Sequence, residues 1–264
     1  MNKLLLVIAV AGLAHADDKK QLSGALAAAL GVVTPKADLP QLILIDSETK
    51  LQEPFIYGNG SPSNELLHVQ TGTATNDKDV GWIAADSGLV IVCGMEGCDK
   101  IYRDAAREAE KKPPYHHTAL VDHGTVLFIH SGATGKGVGF GADMDEAIDD
   151  GAKRAVSQFT QTIGTSESFA STVSTRKDVV MYGTEPNERF VGGAAVKAAL
   201  KKWNLSLTVH GKLRAGVTKD KHVAWIAADV NARSVKGDTV NPYRLTVVYE
   251  ADGATWSIVQ IHFS

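Results

Sequence analysis

Two side chains in the second half of the sequence are of the types that transfer protons. Asp229 follows the apolar segment that begins at Trp225, and His262 lies in the alternating apolar and polar residues that end the chain. A carboxylate and an imidazole at the rim of an apolar pocket could act as an acid–base pair. The alternative is structural: Asp229 ends its strand with a solvated carboxylate, and His262 satisfies sheet-edge carbonyls or a dimer contact.

The pairing of the last two strands determines which side chains stand beside His262. If Asp252 and Gly253 form a two-residue hairpin turn, Tyr243 lies opposite His262 and Leu245 lies opposite Gln260. Successive residues of a strand point to opposite faces. We therefore predict a face that is apolar at depth and polar at its end, formed by Trp256, Ile258, Gln260 and His262.

Four histidines crowd an earlier segment of similar pattern and raise the question of a metal site. They are His116, His117, His123 and His130. A turn at His123 and Gly124 would place His117 across from His130, and two cross-strand imidazoles could bind zinc or copper. Since the sequence offers no obvious third ligand, we predict no metal site and interpret these histidines as surface or sheet-edge residues.

The two cysteines of the chain, Cys93 and Cys98, stand close together. In an oxidising compartment such a pair can form a disulfide across the glycine-containing turn between them. The competing interpretation is half of a metal site, but it lacks the second Cys-x-x-Cys or His-x-x-x-His that zinc would need. We therefore predict a disulfide.

The first residues have the layout of a secretory signal peptide. Lys3 precedes an apolar run from Leu4 to Leu13, and Ala14-His-Ala16 is a small-x-small cleavage signal. Such a run is too short for a membrane-spanning helix, which needs about 20 apolar residues. We expect cleavage after Ala16 and an exported protein, periplasmic or secreted, that does not span a membrane.

Charge and glycine content exclude further functions. The net charge is −3, and no cluster of lysine and arginine is dense enough to follow a phosphate backbone, so nucleic acid is not an expected partner. The segment 131–141 contains five glycines in eleven residues, but its spacing does not match a phosphate-binding loop. We interpret residues 132–142 as a flexible linker.

An internal repeat flanks this linker. The segments Lys78–Asp86 and Lys221–Asp229 are identical at seven of nine positions, and each precedes a Pro-Tyr hairpin, at 114–131 and 242–264. Such self-similarity indicates duplication and predicts two domains, 17–131 and 143–264. Because Asp86 and His130 recur at places equivalent to Asp229 and His262, a shared structural role is favoured over a catalytic one.

The elements that would position these residues can be predicted best after the linker. A capping box at 143–146 predicts the start of a helix with a buried stripe at Ile148, Ala152, Ala155, Val156, Phe159 and Ile163. A second helix is predicted at 193–203, a short strand at 178–184, and four strands of period two from Leu205 onward. Large side chains on both faces of the last strand predict a sheet that helices cover on one side and that closes over a cavity on the other. In the first half, helices are predicted at 19–30 and 99–111, with strands between them. This arrangement is α+β.

The second half resembles a known family. The run from Asp145 to Ser264, with Trp203, Tyr243 and above all the terminal Trp256-Ser-Ile-Val-Gln-Ile-His-Phe-Ser264, is similar to the SnoaL-like branch of the nuclear-transport-factor-two-like superfold. The resemblance implies a cone of curved antiparallel sheet and helices around an apolar pocket. With the repeat, it predicts two tandem cone-shaped domains, the first being a diverged copy.

The resemblance also implies roles for individual residues. In enzymes of this family an Asp in an apolar pocket removes a proton beside a carbonyl, which would make Asp229 the base and Tyr182, Tyr243 or His262 the donor. Such members are isomerases, cyclases or dehydratases, and others only bind or dimerise. The pocket residues implied for ligand binding are Tyr182, Trp225, Tyr243, Arg244 and Gln260.

We favour an exported protein that binds a small apolar or peptide-like ligand without catalysis and without a cofactor. The first alternative is an isomerase, cyclase or dehydratase that uses Asp229. The second is a structural pair in which the duplicated copy replaces the partner of a homodimer. These hypotheses differ in one observable: whether Asp229, Tyr243 and His262 line one enclosed cavity.

Overall fold

A computed structural model describes residues 43–46, 62–89, 107, 111–112, 115–134, 146–234, 237 and 239–264. The predicted signal peptide, the Cys93–Cys98 disulfide, the helix at 19–30, most of the helix at 99–111 and most of the linker lie outside these residues. The described chain is α+β and mostly strand, in curved and largely antiparallel sheets. Within this part of the chain, no helix is long and apolar enough to cross a membrane.

The first sheet has five strands in the order β1-β5-β4-β3-β2. β1 pairs with β5 in parallel, and the other neighbours are antiparallel. The strands are β1 Ile43–Asp46, β2 Pro62–Thr73, β3 Val80–Leu89, β4 Tyr115–Asp122 and β5 Thr125–Ala133. The repeated segment that ends in Asp86 forms most of β3, which is hydrogen-bonded on both sides.

The second sheet has seven strands in the order β6-β9-β10-β11-β12-β7-β8. The predicted four-strand meander is confirmed as β9 to β12, and the predicted short strand is confirmed as β7. The strands are β6 Ala147–Ile148, β7 Val180–Tyr182, β8 Arg189–Val191, β9 Leu205–Val217, β10 Val223–Ser234, β11 Val240–Asp252 and β12 Thr255–Phe263. The repeated segment that ends in Asp229 lies in β10, again between two neighbours.

Three helices cover one face of the second sheet: α1 Lys153–Thr162, α2 Ser166–Ser171 and α3 Gly193–Trp203. The predicted helix at 193–203 is confirmed. The helix predicted to start near residue 143 begins only at Lys153, because Ile148 pairs with β9 in the short strand β6 and a 3-10 turn follows. From Ala152 onward the predicted stripe is correct, with Ala155 and Phe159 fully buried.

The second sheet is covered on both faces, which accounts for the large side chains on both sides of β12. One core lies between this sheet and the helices and contains Phe159, Phe169 and Leu200. The other lies between the two sheets and contains Trp82, Phe128, Trp225 and Val259. The sequence pattern was interpreted as a sheet with helices on one side and a cavity on the other. That interpretation is wrong, because the first sheet covers the second face.

A tryptophan packed on a cross-strand glycine occurs once in each sheet. Trp82 lies opposite Gly72, and Trp225 lies opposite Gly216. A Cβ atom at Gly72 would lie 2.3 Å from the Trp82 ring, and one at Gly216 would lie 2.6 Å from the Trp225 ring. Both sheets therefore need a residue without a side chain at this point, because the indole occupies the space.

The predicted register of the closing hairpin is wrong. The turn is at Gly253 and Ala254, and a β-bulge at Val259 of β12 shifts the pairing, so Thr246 lies opposite His262 and Val248 opposite Gln260. A one-residue shift moves a side chain to the other face of its sheet. Trp256 and Ile258 therefore face the helices, whereas Gln260 and His262 face the first sheet.

The earlier hairpin deviates in the same way. The turn at His123 and Gly124 is confirmed, with both residues at positive φ. A bulge between Leu120 and Val121 then places Thr118, and not His117, opposite His130. The cross-strand histidine pair on which a metal site was considered is therefore not formed.

Candidate functional site

The residues selected from the sequence do not share one pocket. Tyr243 faces the helices and lines a cleft there. Tyr182 and Trp225 belong to the core between the sheets, and Gln260 donates to the carbonyl of Ile83 in the first sheet. His262 contacts Thr118 of the first sheet. Asp229 and Arg244 stand side by side on the same face of the second sheet as Trp225.

The cleft that contains Tyr243 has a volume of about 180 Å³ and is partly open. It is lined by Thr184, Glu188, Trp203, Leu205, Tyr243 and Phe263. The rings pack edge to face, with centroids 5.7 Å apart for Trp203 and Phe263 and 6.4 Å apart for Tyr243 and Phe263. Such contacts fix the aromatic walls, because each ring edge meets the negative face of its neighbour.

The polar groups of the cleft have defined roles. Burial raises the pKa of the Tyr243 hydroxyl, and the negative charges of Glu188 and Glu185 raise it further. This hydroxyl therefore stays protonated at neutral pH and can donate a hydrogen bond. The backbone N–H groups of Thr184 and Glu185 donate to the Glu188 carboxylate at 3.0 and 3.2 Å, which fixes it at the edge of the cleft.

Two stacked histidines link the sheets. The rings of His130 and His262 lie 3.8 Å apart, and His130 is hydrogen-bonded to the hydroxyls of Thr246 at 2.9 Å and Ser264 at 2.7 Å. Nδ1 of His262 is hydrogen-bonded to the Thr118 hydroxyl at 3.1 Å. The histidines of the first hairpin were interpreted as surface or sheet-edge residues, and that interpretation is wrong for His116, His117 and His130, which are buried.

Burial also decides the charge of these histidines. Desolvation lowers the pKa of His130 to about 3, with the charge of Arg244 contributing, and holds the pKa of His262 well below its usual range. Burial lowers the pKa of His117 to about 4. The three imidazoles are therefore neutral at pH 7. A neutral buried His262 joins the sheets through hydrogen bonding and stacking.

Asp229 and Arg244 form a loose buried pair. They are opposite each other in the β10–β11 register, with Nε of Arg244 at 3.5 Å from Oδ1 of Asp229. Only 5% of Asp229 and 9% of Arg244 is exposed. The carboxylate proposed as a base from the family resemblance therefore lies beside an arginine on the sheet face away from the cleft.

The equivalent carboxylate in the first sheet, Asp86, is held by two histidines and an arginine. Its Oδ1 lies 2.7 Å from Nδ1 of His116, and its Oδ2 lies 2.6 Å from both Nδ1 of His68 and Nη1 of Arg189. Burial alone would raise the pKa of Asp86. The hydrogen bonds and charges of His116, His68 and Arg189 outweigh burial and lower it. The group is therefore ionised at neutral pH.

Sequence reasoning missed three members of this cluster. Asp86 was noticed because of the repeat, but His68, His116 and Arg189 were not connected with it. Arg189 comes from the short strand β8, 103 residues further along the chain. Burial, and then the charge of Asp86, raises the pKa of the neighbouring Tyr182 hydroxyl well above its usual range. A conspicuous signal was the number of histidines in the hairpin that contains His116.

Comparison with known proteins gives a family match for one region of the chain. Residues 153–264 match the SnoaL-like domain family. The chain is similar to an NTF2-like protein from Pseudomonas putida, with 14% identity, 42% of this chain and 82% of that chain covered, and a TM-score of 0.34. It is similar to a protein from Parabacteroides distasonis provisionally named a ketosteroid isomerase, with 16% identity, coverage of 42% and 83%, and a TM-score of 0.35.

A third similar structure is an NTF2-like protein from Shewanella oneidensis, with 14% identity, 44% of this chain and 97% of that chain covered, and a TM-score of 0.32. No curated protein gives a significant sequence match. The matched region contains all three helices and strands β7 to β12, including the terminal segment on which the resemblance was based. Residues 153–264 are therefore a SnoaL-like domain.

Proposed function

We propose that the protein is an exported binding protein whose SnoaL-like domain holds a small apolar or peptide-like ligand, without chemical conversion, in the cleft beside Tyr243. One observation carries this proposal. The rings of Trp203, Tyr243 and Phe263 wall a preformed cleft that also contains a hydroxyl and a carboxylate. Apolar walls with a few placed polar groups are the usual composition of a ligand pocket.

The size of the cleft favours a small ligand or a single side chain of a peptide. Drug-sized ligands occupy pockets of roughly 300–1,000 Å³, whereas this cleft measures about 180 Å³. One aromatic ring or one branched aliphatic group would fill it. The Tyr243 hydroxyl would then donate to an acceptor on the ligand, and Glu188 would accept from a donor.

The positions of Asp229 and His262 favour binding over catalysis in this cleft. A base must lie within about 3 Å of the proton it removes, directly or through one water. Asp229 and His262 lie on the opposite sheet face from Tyr243. An isomerase, cyclase or dehydratase that used Asp229 would need its substrate between the sheets, where Trp225 and Phe128 are packed.

A structural role of the first half is a second candidate, favoured by the core between the sheets. There the first sheet covers the face of the second that a partner subunit would otherwise cover. Trp82, Phe128 and Val259 exclude water, and Arg189, His130 and Gln260 make polar contacts across the boundary. In this proposal the first half is a duplicated copy that replaces the partner of a homodimer.

Export would determine where the protein meets its ligand. A protein without residues 1–16 in the periplasm or medium would meet ligands from outside the cell, and Cys93 and Cys98 would be oxidised there. We expect the mature chain to start at Asp17 and to show no free thiol before reduction. N-terminal sequencing and a thiol assay test both points. An intact Met1 or two free thiols would contradict export.

Binding in the cleft can be tested with indole and p-cresol as probes. We expect both to shift the indole N–H resonance of Trp203, which can be assigned with the Trp203→Phe variant. Leu205→Trp should abolish the shift by filling the cleft, while Val240→Trp at an exposed position should not. Tyr243→Phe should weaken binding of p-cresol about 5-fold through one lost hydrogen bond.

Two results would contradict binding in the cleft. One is the absence of any probe-induced shift in the wild-type protein up to millimolar concentration. The other is an equal response of the Leu205→Trp and Val240→Trp variants, which would place the probes elsewhere on the protein.

A further inference from the structure

The cluster around Asp86 joins the two sheets, and two of its side chains are also open to solvent. Asp86 is fully buried, and both of its oxygens are occupied by donors from three separate segments: β2 with His68, β4 with His116 and β8 with Arg189. His116 is buried, and its second nitrogen is hydrogen-bonded to the carbonyl of Glu185. His68 and Arg189, by contrast, are 28% and 30% exposed. The cluster therefore reaches solvent through these two side chains.

Asp86 fixes the protonation pattern of the His68 ring. An ionised carboxylate only accepts hydrogen bonds, so Nδ1 of His68 must carry the proton that it shares with Oδ2 at 2.6 Å. When the ring carries only this proton, the lone pair of Nε2 is free. Within the part of the chain that the structure describes, no polar atom contacts Nε2. A carboxylate-oriented imidazole with an open second nitrogen is the arrangement of a general base.

The backbone at His68 supports this interpretation independently. His68 has a φ of +50°, in the left-handed region that residues other than glycine rarely adopt. It lies in an irregular part of β2, where the register to β3 shifts between Leu67 and Gln70. Bulges frequently re-aim a side chain next to a functional site. Here the bulge brings the His68 ring to Asp86.

Arg189 supplies a second functional group beside this base. It contacts the same carboxylate oxygen as His68 but through Nη1 alone, so its remaining N–H groups are available to an anion. Arg176 is different, because it uses its guanidinium on Asp178, Glu250, Thr75 and the Thr73 carbonyl. A base and a guanidinium that share one oxygen lie side by side.

We propose that His68, oriented by Asp86, is the general base of a hydrolytic site for small carboxylic esters that carry a carboxylate, which Arg189 binds. The nucleophile in this proposal is water. The water oxygen attacks the ester carbonyl carbon while His68 Nε2 takes a water proton. The ester C–O bond breaks, and the proton passes from Nε2 to the departing oxygen, which leaves an acid and an alcohol.

The test compares mono(4-nitrophenyl) succinate, which carries a carboxylate, with neutral 4-nitrophenyl acetate. We expect the wild-type protein to hydrolyse both, with the higher kcat/KM for the succinate ester. His68→Gln should lower kcat for both esters about 100-fold, the usual contribution of a general base. Arg189→Gln should raise KM for the succinate ester about 10-fold and change KM for the acetate much less. His222→Gln, at an exposed histidine, should change neither.

A second measurement needs no substrate. The ¹⁵N shifts of the His68 ring in the wild-type protein should show the Nδ1–H tautomer, and Asp86→Asn should shift it towards a mixture, since Asp86 is a positioning residue that acts through His68. An Nε2–H tautomer in the wild type would overturn the proposal, because no lone pair would face solvent. Hydrolysis by the wild type that His68→Gln does not reduce, or no hydrolysis above buffer, would also overturn it.

Discussion

Asp86 and Asp229 end the same repeated segment and lie in equivalent central strands, yet their surroundings differ. Asp86 has three donors within 2.7 Å, two of them partly open to solvent. Asp229 faces Arg244 at 3.5 Å, in a buried position. The strands, the tryptophans and the facing glycines are similar in the two sheets. What differs are the partners: His116 and Arg244 occupy equivalent positions in the two repeated hairpins, whereas His68 and Arg189 come from outside the repeated segments.

This difference shows how a repeated strand can serve two purposes. The residues next to each Asp within the strand are apolar and serve packing in both sheets. The donors that define the chemistry come from β2, β4 and β8 for Asp86 and from β11 for Asp229. An open group such as His68 can meet a substrate, whereas the Asp229 pair lies away from solvent. The proposed chemistry therefore lies with Asp86.

Substitution of the two carboxylates should separate them most clearly. Asp86→Asn removes the charge that three donors share, and it should lower the free energy of unfolding by about 3–5 kcal/mol, as for other broken buried ion pairs. Asp229→Asn weakens a looser buried pair, in which Oδ1 lies 3.5 Å from Nε of Arg244, and should cost less, about 2 kcal/mol. Urea unfolding at pH 7 measures both. Equal losses would show that the closer donors of Asp86 do not make it more important for stability than Asp229.

As the pH falls, the histidines between the sheets should reduce the stability of the fold before protonation of Asp86 does. The pKa of His130 is about 3 in the folded protein, against an ordinary 6.5. Between these values the unfolded chain binds a proton that the folded chain does not, so stability is complete above pH 6.5 and falls as pH falls. At pH 5 this difference amounts to about 2 kcal/mol for one imidazole.

The stabilisation that Asp86 contributes is lost in a different, lower pH range. Its folded pKa lies below 3.8, so its stabilisation is present above that pH and is lost only in stronger acid. We therefore expect wild-type protein to lose stability between pH 6.5 and 5, and His130→Gln to lose about 2 kcal/mol less over this range. Unfolding curves at several pH values measure the slope. Identical slopes of stability against pH in the wild type and the variant would exclude His130 as a source of this pH dependence.

The glycines opposite the tryptophans should behave alike, in contrast to the carboxylates. Gly72→Ala and Gly216→Ala each place a methyl group against an indole, and each should cost about 1–2 kcal/mol through overpacking. Gly164→Ala, where a Cβ has open space, is the control. Thermal unfolding measures all three. A large cost in one sheet alone would break the structural parallel between the repeats.

Much of the second half could be predicted because its signals are local. The period-two pattern from Leu205 onward and the apolar face of residues 193–203 each depend on neighbours a few residues apart, and both predictions are confirmed. The predicted registers were wrong because a bulge such as that at Val259 leaves no mark in the sequence pattern. One extra residue there moved Gln260 and His262 to the other face.

The candidate sites depended on contacts that no local pattern encodes. Tyr243 lines the cleft, and Glu188 and Trp203 reach the same cleft from distant elements. His68 and Arg189 meet at Asp86 only because the two sheets pack face to face. Neither residue stands out in the sequence, since a single histidine or arginine has no distinctive spacing.

By itself, the sequence determined the α+β class, the C-terminal meander, the helix before it and the SnoaL-like domain, because these follow from periodicity and a terminal motif. Only the tertiary structure decided which face each polar residue occupies and which residues share a carboxylate. Side-chain direction depends on the register, which a single bulge changes. The partners of a buried charge depend on how the sheets pack, and that packing joins residues far apart in the chain.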